Sequence, residues 1–297
     1  MMKKTLFFST ILAASAAYSV SANATTAIDS LFFKPSHNEI YSDTRIGNYD
    51  KNNYTVDGLQ NYRQDLSLNF VEHTIGYGVT DRLTVKTEIL YGEAKIESAS
   101  SFLEADGFQN PKFSLLYRAA DQKDQGFYTD LKLSYAPDLF DSEDADTNKK
   151  GNLADGNDEF AFGFSFGKDI DRFTYKLDLD TIFKGNNETK DLSDDSIKTA
   201  DSTTDYKFGI ETQYRIFDNT SINLGANKLV KGTTASRKGG NELTLSAGIN
   251  YVLNSSLLLN FAYEMQEIDD KLKTPENTRS SYDSESKAYG LKVRYIF

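Results

Sequence analysis

The sequence predicts an all-β fold, a transmembrane antiparallel up-and-down β-barrel of about twelve strands. Apolar and polar residues alternate over segments long enough to be membrane-spanning strands. Short and long connections alternate along the chain, as they do in transmembrane barrels. The C-terminal segment alternates in the same way and ends in a phenylalanine.

The N-terminal residues predict export. Lys3 and Lys4 precede an apolar stretch from Leu6 to Ala17, and Ala22-Asn23-Ala24 supplies the small residues that signal peptidase requires. An N-terminal membrane anchor is the alternative, but this stretch is shorter than the ~20 residues that span a bilayer. We therefore predict a signal peptide over residues 1–24, cleaved after Ala24.

The composition excludes several functional classes. The formal net charge is −11, whereas nucleic-acid binding needs a basic surface. There is no cysteine, so the chain has no disulfide, thiol nucleophile or cysteine metal ligand. A mean hydropathy of −0.52 and the lack of a later long apolar run argue against membrane-spanning helices in the mature chain. We expect no cofactor.

Alternation also indicates that the apolar face of each strand contacts lipid. Phe160, Phe162, Phe164 and Phe166 alternate with small residues, and residues 206–216 and 243–253 alternate similarly. A Lys or Arg that faces lipid at the midplane costs roughly 2–4 kcal/mol, so lipid would sort charges onto the other face. The charges do fall on the other parity: Lys132, Lys176, Asp178, Asp180, Lys207, Glu211, Glu264, Lys292 and Arg294.

Connection lengths set the predicted topology, with short periplasmic turns and long extracellular loops. An even strand number places both termini in the periplasm; ten or fourteen strands remain alternatives, because the first strand is weakly patterned. The predicted strands are 37–47, 64–78, 82–97, 108–119, 126–138, 158–168, 172–184, 204–217, 220–231, 241–253, 256–268 and 285–297. The predicted long loops are 48–63, 98–107, 139–157, 185–203, 232–240 and 269–284.

Three segments depart from the simple pattern. The apolar residues stand at even positions in 66–70 and at odd positions in 75–79. This change predicts a β-bulge in the second strand. Lys228 lies on the apolar parity, so we place it near the outer rim, where it can snorkel. Residues 25–36 are predicted to be a periplasmic lead-in that could instead fold into the lumen as a partial plug, and residues 37–297 form the barrel.

The C-terminal strand resembles the signal that the barrel-assembly machinery reads. That recognition adds a strand, so backbone pairing gives affinity and alternate side chains give identity. An ordinary last strand of a sandwich is the alternative. The residues of the predicted assembly signal are Tyr289, Leu291, Val293, Tyr295 and Phe297.

Enzymatic chemistry and a metal site are not expected. His37 and His73 lack the His-x-Ser or Asp-x-His spacing of outer-membrane lipases and proteases, so we place His73 at the lumen or the interface. Asp144-x-Asp146-x-Asn148 resembles the start of a calcium loop, but Lys149 occupies the glycine position. We interpret this stretch as a solvated acidic loop.

The lumen is where a function is expected to reside. Twelve strands lie between barrels filled by side chains and barrels with an aqueous channel, so a passive channel or transporter for small solutes is our first hypothesis. The alternative is a structural or surface-interaction barrel with a closed lumen. The predicted lumen-lining residues are Lys86, Glu88, Arg118, Asp130, Lys132, Lys176, Asp178, Lys207, Glu211, Arg215, Glu264, Lys292 and Arg294.

One stretch resembles a known family. The turn Tyr77-Gly78-Val79-Thr80-Asp81-Arg82-Leu83 and the hairpin from Gly107 to Pro137 are similar to segments of outer-membrane transporters named after the MetA pathway of phenol degradation. The resemblance covers about residues 66–138 and implies uptake of small, apolar molecules. The expected partners are outer-membrane lipid and lipopolysaccharide, the barrel-assembly machinery and a small solute, and we expect a monomer in the outer membrane.

Overall fold

The computed structural model describes residues 27–57, 60–98, 102–144, 150–191, 196–233, 237–272 and 281–297. The predicted signal peptide, residues 1–24, lies outside the described residues. Within the described ranges no helix is long and apolar enough to cross a membrane.

Strands account for most of the described chain, and one short helix, α1 (Gln122–Gln125), follows Asp121. The strands are β1 (Ile40–Asp57), β2 (Gln60–Gly78), β3 (Leu83–Ser98), β4 (Phe102–Phe108), β5 (Lys112–Ala120), β6 (Tyr128–Ala136), β7 (Ser142–Asp144), β8 (Glu159–Ile170), β9 (Phe173–Lys184), β10 (Asn187–Asp191), β11 (Ile197–Ala200), β12 (Thr203–Phe217), β13 (Thr220–Lys231), β14 (Arg237–Asn254), β15 (Leu257–Leu272) and β16 (Ser281–Ile296).

The wall is a closed barrel of antiparallel strands, as predicted. Each wall strand pairs with the wall strand that precedes it in the chain, and β16 pairs with β1 to close the ring. Both β4 and β5 pair with β3, one above the other, and together they occupy a single position in the wall. The wall therefore has twelve strand positions, which confirms the predicted number.

Several strands extend beyond their predicted bounds. Residues 48–63 were predicted as a loop, yet β1 continues to Asp57 and β2 begins at Gln60. Polar residues follow one another in this part of the sequence, so the two-residue periodicity that marks a membrane strand is lost. The predicted strand 108–119 is broken at residues 109–111, where Pro111 has no amide hydrogen to donate.

The predicted bulge in β2 is wrong. The register of β2 with β1 and with β3 continues without a shift from Gln64 to Gly78. Leu66, Leu68 and Phe70 therefore point into the lumen, on the same face as Glu72. The apolar parity changes along β2 because its lumenal side is itself apolar at the extracellular half.

The outer face forms an apolar band. On β16 the outward band runs from Tyr295 near the periplasm to Tyr289, and the next outward residue is Lys287. Aromatic residues stand near both ends of the band on some strands, such as Tyr206 and Tyr214 on β12 and Tyr289 and Tyr295 on β16, as in other membrane barrels. Lys228 lies one outward position inside the band, next to Val230, which agrees with its predicted place near the rim.

Extracellular segments protect the break in the wall. Above residues 109–111, β4 pairs with β3 along one edge only, and an unpaired strand edge is a liability. Gly151 bridges Ala105 of β4 in parallel, and Lys150 pairs with Glu104 at 3.2 Å. Strands β7, β10 and β11 form a separate small sheet beside this segment.

The two faces of β14 provide a matched test of orientation. Ala247 is exposed in the middle of the outer band, and its neighbour Ser246 lines the lumen. We expect Ala247→Arg to lower the free energy of unfolding by about 2–4 kcal/mol, because it places a cation in lipid. Urea unfolding in lipid vesicles measures this value. Ser246→Arg is the control and should change stability far less; equal losses would contradict the assignment of faces.

Candidate functional site in the lumen

The inward parity brings the predicted lumen residues together. All thirteen lie on the inward face of their strands, and most of them form ion pairs along the wall. The pairs are Lys86–Glu88 at 3.3 Å, Lys132–Asp180 at 3.9 Å, Lys176–Asp178 at 3.1 Å, Lys176–Glu211 at 3.9 Å, Arg45–Glu264 at 2.9 Å, Arg294–Asp43 at 2.7 Å, Arg215–Asp29 at 3.2 Å and Arg118–Asp130.

These ion pairs hold the charged side chains close to the wall. Apart from Asp29, which precedes β1, the partners lie on the same strand, on adjacent strands, or on strands separated by one other strand, as with Arg45 and Glu264. Residues that sequence reasoning missed complete the set, among them the Lys112–Glu159 pair at 2.7 Å. Because the charges are paired along the wall, the centre of the barrel above the periplasmic end is left open.

Two cavities occupy this open volume. One, of about 490 Å³, lies toward the extracellular side and includes Lys112, Glu159 and Lys207 in its lining. The other, of about 260 Å³, lies toward the periplasm and is lined by residues that include Lys292. Glu211, Ser246 and Glu264 line both cavities, so the two adjoin along one wall.

Residues 27–36, hereafter the plug, lie inside the periplasmic end of the barrel. Asp29, Ser30 and Leu31 form part of the lining of the 260 Å³ cavity. The plug contacts strands on opposite sides of the barrel, and its Ile28, Phe32, Lys34 and Pro35 are buried. The lumen therefore narrows at its periplasmic end.

Asp29 anchors the plug to β12 and β13. Its carboxylate pairs with Arg215 at 3.2 Å and accepts a hydrogen bond from the Ser221 hydroxyl at 3.2 Å. Its main-chain carbonyl accepts from the Gln213 amide at 2.7 Å. Asp29 is almost fully buried, and a buried carboxylate needs such partners.

Two arginines bind the carbonyl oxygens of the plug. Arg118 donates to the oxygen of Phe32 at 2.8 Å, and Arg294 donates to the oxygen of Ile28 at 3.0 Å. Each arginine also pairs with a wall carboxylate, Asp130 or Asp43. Both guanidinium groups thus keep a charged partner in the wall whether or not the plug is docked.

Aromatic stacking adds apolar contact at the same level. The ring of Phe32 stacks on Tyr128 with centroids 4.6 Å apart. Phe33 packs edge-on against Tyr41 at 5.3 Å, and the Arg294 guanidinium lies 4.2 Å from the centre of the Phe33 ring.

The turn that carries the family resemblance holds the C-terminal end of the plug. Lys34 donates to the carbonyl of Thr80 at 3.1 Å, and the main-chain amide of His37 donates to the Asp81 carboxylate at 3.2 Å. A Cβ atom at Gly78 would lie 1.9 Å from the Ser36 oxygen. Glycine is required at this position because the plug backbone passes directly over it.

An apolar patch lies on the inner wall near the extracellular mouth. A Cβ atom at Gly92 would lie 2.8 Å from Leu68 and 2.9 Å from Leu153, whose segment follows Gly151. The Phe70 ring lies 5.3 Å below the Arg45 guanidinium on the same side of the lumen. The change of apolar parity in β2 was the sequence signal for this patch.

His73 does not lie at the lumen or the interface, which corrects the prediction. It pairs with Thr44 across β1 and β2 on the outward face, and its Nδ1 is 2.9 Å from the Thr44 hydroxyl. Asp146 and Asn148 of the calcium-like stretch lie outside the described residues. In the remaining, described ranges, no cluster of acidic, histidine or cysteine residues could hold a metal ion.

The fold is similar to those of solved outer-membrane proteins. An outer-membrane channel of Pseudomonas putida F1 aligns with a TM-score of 0.62 and 12% identity, over 91% of this chain and 100% of the channel. The translocator domain of the autotransporter NalP from Neisseria meningitidis gives 0.50 and 10%, over 99% and 96%. The P. putida toluene transporter TodX gives 0.48 and 9%, over 89% and 91%.

The chain matches no protein-family model, and no curated protein matches it in sequence. The structural similarity confirms the predicted fold, a transmembrane antiparallel β-barrel, which the channel and the translocator domain share. A channel and a translocator domain share this fold, so the function must be argued from the lumen.

Lys34 makes plug docking sensitive to pH. Burial and, second, the nearby Arg118 guanidinium lower the pKa of Lys34 from 10.5 to about 8. Between these values the released plug holds a proton that the docked plug has lost, so rising pH favours docking. Below pH 8 both forms are protonated, and docking is at its weakest.

We therefore predict that docking strengthens from pH 8 to pH 10.5, by up to about tenfold per pH unit. Because the chain has no tryptophan, Phe33→Trp introduces a single fluorescent reporter beside Tyr41. The urea midpoint of its emission shift should rise over this pH range. The same reporter with Lys34→Met should give a flat midpoint; an unchanged pH dependence in that variant would contradict the assignment to Lys34.

Proposed function

We propose that this outer-membrane barrel is a passive channel for small solutes, with the plug as its periplasmic constriction. The observation that carries the proposal is the pair of adjoining cavities, of about 490 and 260 Å³, above the plug. A lumen that served only as a structural core would be filled by side chains, as in eight-stranded barrels.

The lining favours polar and amphipathic solutes. The larger cavity presents Tyr49, Asn227 and Gln266 together with charged residues of both signs. Such groups exchange hydrogen bonds with a passing solute and replace those it makes with water. The patch around Leu68, Phe70 and Leu153 lies near the mouth, where it can contact an apolar part of the solute. The proposed role is passive and includes no catalytic step.

Passage requires the plug to move or to leave a narrow path beside it. The plug is joined to the wall by one carboxylate, several main-chain carbonyls and two aromatic rings. The wall arginines that hold it keep Asp130 and Asp43 as partners after release. Release therefore leaves Arg118 and Arg294 paired in the wall, which lowers its free-energy cost, whereas Arg215 loses its partner Asp29.

Single-channel recording in planar bilayers tests the proposal with the mature chain and two variants. Deletion of residues 27–33 removes most of the plug but leaves Lys34 and its contact with Thr80. Asp29→Asn replaces the buried charge that pairs with Arg215, and should weaken docking by about 1–3 kcal/mol. We expect both variants to conduct more than the unmodified barrel, and to speed the swelling of liposomes in small sugars.

Thr212→Val is the matched control, because Thr212 lies on the outward face of β12 and its substitution leaves the lumen unchanged. Its conductance should equal that of the unmodified barrel. If the folded deletion variant shows neither conductance nor solute uptake, the channel proposal is wrong.

A surface-interaction role is the second candidate, and the sheet of β7, β10 and β11 is the observation that favours it. This sheet lies outside the wall. Within it β7 pairs with β10, and the hydroxyls of Ser142 and Thr189 on these two strands are 3.1 Å apart. Trimming residues 139–157 and 185–203 distinguishes the roles. Loss of binding to lipopolysaccharide with unchanged conductance would support the surface role, and loss of neither would leave the channel as the sole candidate.

A further inference from the structure

An ionisable side chain faces lipid in the middle of the outer band. The outward residues of β2 run from Tyr77 at the periplasmic end through Ile75, His73 and Val71 to Asn69. His73 is therefore central in this series, and its neighbour Ile75 is 50% exposed. An ionisable residue within the membrane is costly and is retained for a function.

Polar residues cluster around His73. Thr44 of β1 lies directly opposite His73 and pairs with its Nδ1, and Ser42 lies one outward position below Thr44. Thr87 of β3 lies opposite Ile75. Thr44, His73 and Thr87 each stand third from the periplasmic end of the outward series on their strand, so they share a level within the band. We call Ser42, Thr44, His73 and Thr87 the polar patch.

Among the other lipid-facing polar residues of the described wall, Thr212 stands third from the periplasmic end of its outward series, with Tyr175 and Leu224 opposite it. Lys168, Thr181 and Lys228 each stand second from the end of their outward series, next to Ile170, Phe183 and Val230. In those positions the bilayer interface and its water can reach them. Thr44, His73 and Thr87 of the polar patch are at a depth where lipid supplies neither donors nor acceptors.

We propose that the polar patch is the contact surface of a symmetric dimer, with a second copy of this chain as its partner. Imidazole and hydroxyl groups are each both donors and acceptors, so the patch is complementary to itself. If a two-fold axis passes through His73, the patch of each copy can form a hydrogen bond with the outward ring nitrogen of His73 in the other copy. A single self-complementary patch closes into a dimer, whereas a ring needs two different patches.

The shape of the outer wall supports a contact at this place. A concave region of about 640 Å³ adjoins the patch and is lined by Ile75, Tyr77, Thr87, Phe113, Leu115 and Leu133. Two convex cylinders touch only along a line, and a concavity beside that line receives side chains of the partner. The proposal replaces the monomer expected from the sequence and is independent of whether the lumen conducts.

Site-specific cross-linking in the outer membrane tests the dimer. Because the chain has no cysteine, Ile75→Cys places one thiol beside the proposed axis, and Ile210→Cys places one on the outward face of β12. We expect a short bifunctional thiol reagent to give a dimer band with Ile75→Cys and none with Ile210→Cys. A monomer with both, or equal dimer bands with both, would overturn the proposal.

The patch itself is tested in the Ile75→Cys background. His73→Leu and Thr44→Val should each abolish the dimer band, while a heat-modifiable band in electrophoresis reports that the barrel has folded. Thr212→Val is the matched control and should leave the dimer band unchanged. If His73→Leu folds and the dimer band persists, the polar patch is not the contact; if the control also loses the band, the contact is not specific to the patch.

Discussion

Lipid offers no hydrogen-bond partner to a peptide group, so every strand that crosses the bilayer must be paired along both edges. The pairing of β16 with β1 meets this requirement by closing the wall. The break at residues 109–111 leaves an edge of β4 that Gly151 bridges from the extracellular side. The closed backbone fixes which parity faces outward, and this sorting places the charged residues in the lumen.

Closure also explains why charge accumulates inside. Residues such as Lys176 and Glu211 cannot face lipid, and the lumen provides both water and partners of opposite charge. Pairing along the wall keeps the centre open, so a separate segment is needed to narrow it. The plug serves this purpose, and the glycine at position 78 leaves room for its backbone. The geometry of one turn and one short segment thus determines how open the periplasmic end can be.

The parts of the fold that the sequence predicted well are those where lipid imposes a period of two. Strand β12 is an example, since its outward residues from Tyr206 to Tyr214 are apolar or small and its inward residues are polar except for Gly209. The bulge predicted in β2 was wrong because the apolar patch on the inner wall gives the same change of apolar parity in the sequence as a bulge would. The ends of β1 and β2 were missed because polar residues follow one another there in the sequence, and no periodicity remains.

Of the candidate site, the wall charges followed from parity, whereas the plug contacts did not. Asp29 lies in a short segment without periodicity, and its partners Arg215 and Ser221 are far away in sequence. His73 was misplaced for a related reason. A polar residue in a strand is expected to face the lumen, and the structure puts this one on the lipid-facing side, opposite Thr44.

The orientation of the two faces is tested most directly by a cysteine scan along β12, from position 204 to position 216. Each single-cysteine variant carries a nitroxide label in lipid vesicles, and its collision rates with oxygen and with a water-soluble relaxer are measured. The account predicts that even positions are accessible to oxygen and odd positions to the water-soluble relaxer, in strict alternation. Accessibility without a period of two, or with even positions shielded from both reagents, would contradict it.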